Sequence, residues 1–333
     1  MTRVSVHGIR IDYSTTALPS DPLGQFFEFF PVVSDEAPAD LRIELRRAPS
    51  ALGLDIARGE YVPFFFYGMT QVYRGPSGLV VWNGSSRAEI SSNAREIRAE
   101  IPVLDNGKFP EFTEGVLHAA LLWALRERRV FDLHAAAVMT PDGAPIVIVG
   151  DSGAGKTTLM LALVEAGFGY LGDDRVLLRR DRDGGAPNVY SYPRAFHVGG
   201  ETLRAFPKLE EFAGPLSGIG DKLVVEPARA YPAEHRLGGT SPSLLLFPRV
   251  GRVEKTVARE LSQADAFGSV LDASAILAVE GMSFRDDQMA CLRDLVSSTP
   301  CYEVVSGYDL LADPVAVVTE LEPLRNLRGE TSC

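Results

Sequence analysis

The sequence predicts an α/β fold with a β-rich domain at its N-terminal side, and three observations predict it. First, Pro145 to Val149 is a short apolar run of the kind that forms a buried strand. Second, that run leads directly into Gly150-Asp151-Ser152-Gly153-Ala154-Gly155-Lys156-Thr157, which fits G-x-x-x-x-G-K-T, and then into a helical stretch closed by Gly167. Third, residues 1–112 carry short alternating or β-branched runs separated by Gly, Pro and Asn.

The loop is the most specific signal in the chain. Its glycines let the backbone curl without a Cβ clash, so that successive N–H groups point inward at phosphate oxygens. Lys156 brings a positive charge to those oxygens, and the Thr157 hydroxyl is suited to ligate Mg²⁺. The helix that starts there directs its positive dipole end at the anion. The expected cofactors are therefore ATP and Mg²⁺, with Gly150 through Thr158 as the binding segment. No Asn-Lys-x-Asp guanine-reading motif occurs, which leaves adenine as the default base. The H-R-D and D-F-G motifs of eukaryotic protein kinases are missing as well. Leu216-Ser217-Gly218-Ile219-Gly220 is similar to the ABC-transporter signature, but no apolar strand ending in Asp-Glu follows, and it reads as a loop.

Seventeen positions after the lysine stand two acids, in Gly172-Asp173-Asp174-Arg175. Neighbouring side chains at a strand end point to opposite sides, so the two need not compete for one ligand. One can hold Mg²⁺ while the other takes a proton from a hydroxyl.

Leu133-His134-Ala135-Ala136, the glycine-rich loop and Asp173-Asp174-Arg175 together resemble the core of the HPr kinase/phosphorylase superfamily, related through its phosphate loop to the ATP-dependent phosphoenolpyruvate carboxykinases. The likeness covers residues 129–178. It implies a P-loop kinase core of the HPr kinase and PEP carboxykinase type. It also implies that Lys156 binds phosphate, Thr157 binds Mg²⁺, Asp173 is the catalytic base, Asp174 helps with metal or orientation, and His134 lies beside the γ-phosphate. Thr158 stands where the true HPr kinases carry Glu, and their second glycine-rich signature is absent. Arg194, Lys222, Arg236 and Arg249 are candidates to assist transfer, since a cation can swing in on a transferring phosphoryl group.

At 333 residues and 46% apolar, the chain is long enough for two domains, expected at 1–112 and 113–333 with a polar turn at Asp105-Asn106-Gly107-Lys108 just before the boundary. A net charge of −11 disfavours nucleic acid and anionic membranes and suits a neutral or basic partner. Three cysteines (291, 301, 333) make no disulfide framework and imply a reducing, cytoplasmic setting. Met1 to His7 lacks the apolar run of a signal peptide, and the aromatic run 61–67 is far too short to span a bilayer. That aromatic run is expected in the core, or lining a peptide groove between domains.

The expected strands are 4–13, 41–45, 71–73, 78–82, 88–91, 190–198, 244–248 and 302–305, with helices at 114–129 and 286–297. The loop and the two acids predict a kinase that moves the γ-phosphoryl group of ATP to a Ser/Thr-type hydroxyl on a peptide or protein, and the resemblance implies that a peptide natural-product precursor is among the acceptors. A free-amino-acid or other small-molecule kinase and a regulatory ATPase without transfer are the alternatives. A homo-oligomer is compatible with all three.

Overall fold

The computed structural model describes every residue except 19, 49–59, 68–69, 102–111, 181–184, 193–194, 217–221, 226–229, 233–234, 275–278, 326 and 328–333. It is a mixed α/β structure with several sheets. Two compact units divide the chain, Met1–Arg128 and Arg129–Cys333. The division therefore falls after the helix His118–Arg126 rather than at residue 112, because that helix packs on the first unit's strand Arg87–Ser91. The expected boundary turn at 105–108 lies outside the described residues, as do Arg194, Ser217 to Gly220 and Cys333.

The first unit is an eight-stranded sheet. Its spatial order is Thr2–Val6, Ile9–Thr16, Leu41–Arg47, Glu96–Ile101, Arg87–Ser91, Gly78–Trp82, Thr70–Gly75 and Val62–Tyr67. Alternation puts Leu41, Ile43 and Leu45 on the buried face and leaves Arg42 and Arg46 in water. The expected single strand over 4–13 is a hairpin instead. His7 (φ 51°) and Gly8 (φ 83°) both adopt left-handed backbone, the requirement of a tight two-residue turn, and Val6 pairs with Ile9. The aromatic run forms the edge strand Val62–Tyr67, where Phe64 and Phe65 pack against Trp123 at 5.7 and 6.3 Å and Phe66 stays exposed. Phe64 and Phe65 are half-buried, so the run is an edge strand leaning on Trp123 rather than part of the core.

The second unit holds the glycine-rich loop. Its six-stranded sheet runs Gly169–Gly172, Ala135–Met139, Pro145–Val149, Leu244–Val250, Cys301–Ser306, Val257–Glu260. Pro145–Val149, Leu244–Val250 and Cys301–Ser306 are parallel, so their carboxyl ends lie along one edge. Pro145–Val149 and residues 244–248 are wholly buried and read as continuous apolar runs, whereas Cys301–Ser306 carries a half-buried Glu303. The helix Lys156–Glu165 buries Leu159, Met160 and Leu163 against one face, and Arg285–Ser297 with Gln263–Asp272 covers the other through Leu292, Leu295 and Val270. A second sheet has the order Gly238–Thr240, Asn188–Ser191, Val176–Arg179, Phe131–Leu133. The expected strand 190–198 is split between it and a small sheet containing Phe196–Val198.

The chain crosses directly between the six- and four-stranded sheets three times. It does so at His134, between Phe131–Leu133 and Ala135–Met139, at Asp173 to Arg175, between Gly169–Gly172 and Val176–Arg179, and at residues 241–243, between Gly238–Thr240 and Leu244–Val250. Residues at such a break belong to neither ladder, which frees their side chains and backbone for other partners. Among the described residues no helix is long and apolar enough to cross a membrane.

His235 bonds to Ser191 (Nε2 to Oγ, 3.1 Å) and packs beside Tyr170, and burial lowers its pKa to about 4. A folded value below the unfolded 6.5 means stability that is complete above pH 6.5 and is lost as pH falls toward 4. After discounting for partial exposure, the loss amounts to about 2 kcal/mol. Denaturant titrations from pH 7.5 to 4.5 should therefore show a steeper acid decline in the wild type than in His235→Gln.

Candidate active site

The loop Gly150–Gly155 joins the strand Pro145–Val149 to the helix Lys156–Glu165. Gly153 (φ 85°) and Gly155 (φ 98°) take left-handed backbone that an L side chain adopts only under strain. Gly150 has no left-handed backbone, and a Cβ there would crowd that of Ala154 at 3.2 Å. The Ala154 N–H donates to Asp151 O (3.2 Å), and the Leu159 N–H donates to Gly155 O (3.0 Å) as the helix begins. Helix geometry leaves the N–H groups of the first turn without intrahelical partners, and the helix dipole makes that end positive.

Lys156 is buried, and its ammonium donates to Gly150 O (2.7 Å) and Asp151 O (3.0 Å). The third contact is His134 Nε2 at 3.1 Å. An ammonium has only donors, so Nε2 is the acceptor and the imidazole proton belongs on Nδ1. Nδ1 then donates toward Asp174, whose carbonyl oxygen lies at 2.9 Å and whose carboxylate Oδ1 lies at 3.1 Å. Burial lowers the pKa of Lys156, while Asp174, Asp173 and Asp151 pull it back up.

The two acids occupy different environments. Asp173 is buried, and the Thr157 hydroxyl lies 3.1 Å from both of its carboxylate oxygens. Desolvation, followed by repulsion from Asp174, raises its pKa to about 6. Asp174 is 43% exposed and sits at φ 64°, a left-handed conformation that non-glycine residues adopt at turns and strained functional sites. The expected division put Asp173 on the acceptor proton and Asp174 beside the metal. The contacts run the other way: Thr157 lies with Asp173, and Asp174 lies with His134.

Three neighbours shape this cluster. A Cβ on Gly172 would approach Arg175 O to 2.7 Å, so the turn closes tightly on itself. Arg175 forms a largely buried ion pair with Asp132, two residues before His134, which ties the acidic turn to the histidine strand. Thr158, next to Thr157, bonds to Thr202 (2.8 Å between hydroxyl oxygens). Asp132 and Thr202 carried no signal in the sequence because their partners are 43 and 44 positions away.

Of the basic candidates, Lys222 is the one whose charge is felt at Lys156, lowering its pKa. Arg249 is exposed and paired with Glu303 (2.6 Å), and Arg236 donates to His235 O (2.8 Å). Among the described residues no three His, Cys, Asp or Glu side chains gather to hold a metal by themselves. A Mg²⁺ ion that arrives with a nucleotide needs only one or two protein ligands.

No family model matches the chain. No curated protein matches it either. Among solved structures it is similar to the HPr(Ser) kinase/phosphatase from Coxiella burnetii. The identity is 11% and the TM-score 0.29, with 56% of this chain and 93% of that chain covered. At that TM-score the likeness carries no weight for activity.

The folded pKa of Asp173, about 6, lies above the ordinary 3.8, so its contribution to stability is complete below pH 3.8 and is lost as pH rises through 6. In Mg²⁺-free buffer the ionised side chain then costs roughly 3 kcal/mol. Asp173→Asn should raise the melting temperature at pH 8, with a gain that shrinks to nothing near pH 4 in a series of thermal melts. Gly172→Ala should destabilise the second unit by about 1–3 kcal/mol, read from denaturant midpoints, because the new methyl meets backbone that cannot swing away.

Proposed function

We propose that the second unit is a kinase core that seats the phosphates of ATP in the Gly150–Thr157 loop. It passes the γ-phosphoryl group to a Ser/Thr-type hydroxyl on a peptide, a protein or a small molecule. One observation carries this reading. Lys156, Thr157, His134, Asp173 and Asp174 join in two short hydrogen-bonded chains at the start of the loop helix.

Neighbouring ligands of an octahedral Mg²⁺ stand about 2.9 Å apart when each is 2.0–2.1 Å from the ion. The 3.1 Å between the Thr157 hydroxyl and the Asp173 carboxylate oxygens fits a shared place in such a shell. Thr157 and Asp173 would hold the ion, which when bound supplies neutralising charge to the phosphates.

Lys156 exchanges its bonds to Gly150 O and Asp151 O for phosphate oxygens and keeps its charge oriented by His134. Asp174, the more exposed acid, accepts the proton of the incoming hydroxyl. The new O–P bond forms as the bridging P–O bond to the β-phosphate breaks, and ADP leaves with its electron pair. His134 positions Asp174 through its Nδ1 proton. The net charge of −11 favours a neutral or cationic acceptor over an acidic one.

Lys156→Ala should lower Mg-ATP affinity in calorimetry and abolish turnover while the fold persists. Asp174→Asn should still bind Mg-ATP yet lose transfer by roughly 10²–10⁴-fold, the usual contribution of a positioned base. Asp173→Asn should shift the Mg²⁺ dependence instead. Phosphate added to a Ser- or Thr-containing acceptor is read by mass spectrometry. ADP release at one rate with and without every acceptor would replace the kinase reading with a regulatory ATPase.

A further inference from the structure

The second unit keeps nearly all its large apolar side chains inside, and the exceptions are grouped. Among the described residues of that unit, the large hydrophobics that stay exposed are Val250, Val253, Val257, Tyr308, Leu311 and Val315. All six fall in two segments, 250–257 and 308–315. Backbone bonds join these segments: Gly251 N–H donates to Ser306 O (2.9 Å), Tyr308 N–H to Val253 O (3.0 Å) and Asp309 N–H to Glu254 O (3.2 Å). The Asp309 carboxylate also accepts from the Thr256 N–H and hydroxyl (2.8 and 2.7 Å). The patch thus sits on a pinned scaffold.

Its position ties it to the loop. The parallel strands that end in Val149, Val250 and Ser306 finish side by side, and ligands of open α/β sheets bind beyond the carboxyl ends of such strands. Val250 borders the loop itself, since a Cβ on Gly155 would meet its Cγ2 at 4.0 Å. Val253 in turn borders Gly251, and its carbonyl holds Tyr308. An apolar surface therefore leads away from Gly155, with Val250 68% and Tyr308 59% exposed. Asp173 and Asp174 stand on the opposite flank of the sheet order, beyond Ala135–Met139.

We infer that Val250, Val253 and Tyr308 form the seat of the adenine base of the nucleotide whose phosphates occupy the Gly150–Thr157 loop. This inference rests on the phosphate-loop reading above and extends it to the base. Flat purine rings gain from contact with aliphatic and aromatic side chains, and exposed apolar patches of this kind mark binding surfaces. The occupant is adenine rather than a protein because the patch is continuous with the loop through Val250 and Gly155. Base and acceptor then enter from different flanks.

The test compares Mg-ATP with Mg-tripolyphosphate, which has the phosphates and no base, by calorimetry on wild type, Tyr308→Ala and Val253→Ser. Thermal melts confirm folding of each variant. Each substitution should weaken ATP roughly tenfold and leave tripolyphosphate unchanged. Unchanged ATP affinity in both variants overturns the inference, as does an equal loss for the two ligands. A change of oligomeric state in sedimentation, with ATP affinity intact, would assign the patch to a second copy of the chain and also overturn it. If wild type binds neither ligand, the phosphate-loop reading fails and the base seat falls with it. If wild type binds both and the variants match it, only the base seat fails.

Discussion

The buried ammonium of Lys156 is the constraint around which the second unit is arranged. A charge removed from water must be fully hydrogen-bonded or it costs several kcal/mol. Lys156 meets that demand with two loop carbonyls and one imidazole nitrogen. Because all three of its contacts are acceptors, His134 is forced into one tautomer, and the remaining imidazole proton has to face Asp174. The orientation of an acid eighteen residues further along is thus dictated by the solvation of one cation.

This arrangement is reached through breaks in regular structure. His134 and the Asp173 to Arg175 turn occupy two of the three places where the chain leaves one of these sheets for the other. In a ladder, side chains point to one face or the other at fixed spacing, and backbone groups are spoken for. At a crossing neither holds, and the His134 N–H goes instead to Ala273 O at 3.2 Å. The left-handed turn at Asp174 follows from the same interruption.

Local patterns made the loop, its helix and most strands legible, because each depends on a few consecutive residues. The Pro145–Val149 strand and the Arg285–Ser297 helix fall within a residue or so of their expected places. Elements that depend on conformation rather than hydrophobicity were harder to read. The His7-Gly8 reversal lacks an Asn-Gly or Asp-Gly signal, whereas the break between Ser191 and Phe196 does carry a local mark, Pro193, which cannot donate to a strand ladder. In the site, the residue types were readable but not their pairing. Whether Thr157 meets Asp173 or Asp174 depends on which side of a sheet crossing each acid emerges. The Asp132–Arg175 tie likewise joins residues far apart in sequence.

Ala135, Ala136 and Ala137 form the strand that runs on from His134, all wholly buried. Ala136 lies under the loop helix with Leu159 and Met160, while Ala135 and Ala137 face the opposite layer. Methyl groups this small allow the helix to settle close to the sheet, and the protein interior is too dense to absorb added bulk without a shift. The methyl of Ala136 therefore acts as a spacer gauge. It sets how high the helix start rides above the histidine, and with it the reach across which an ammonium and an imidazole can touch.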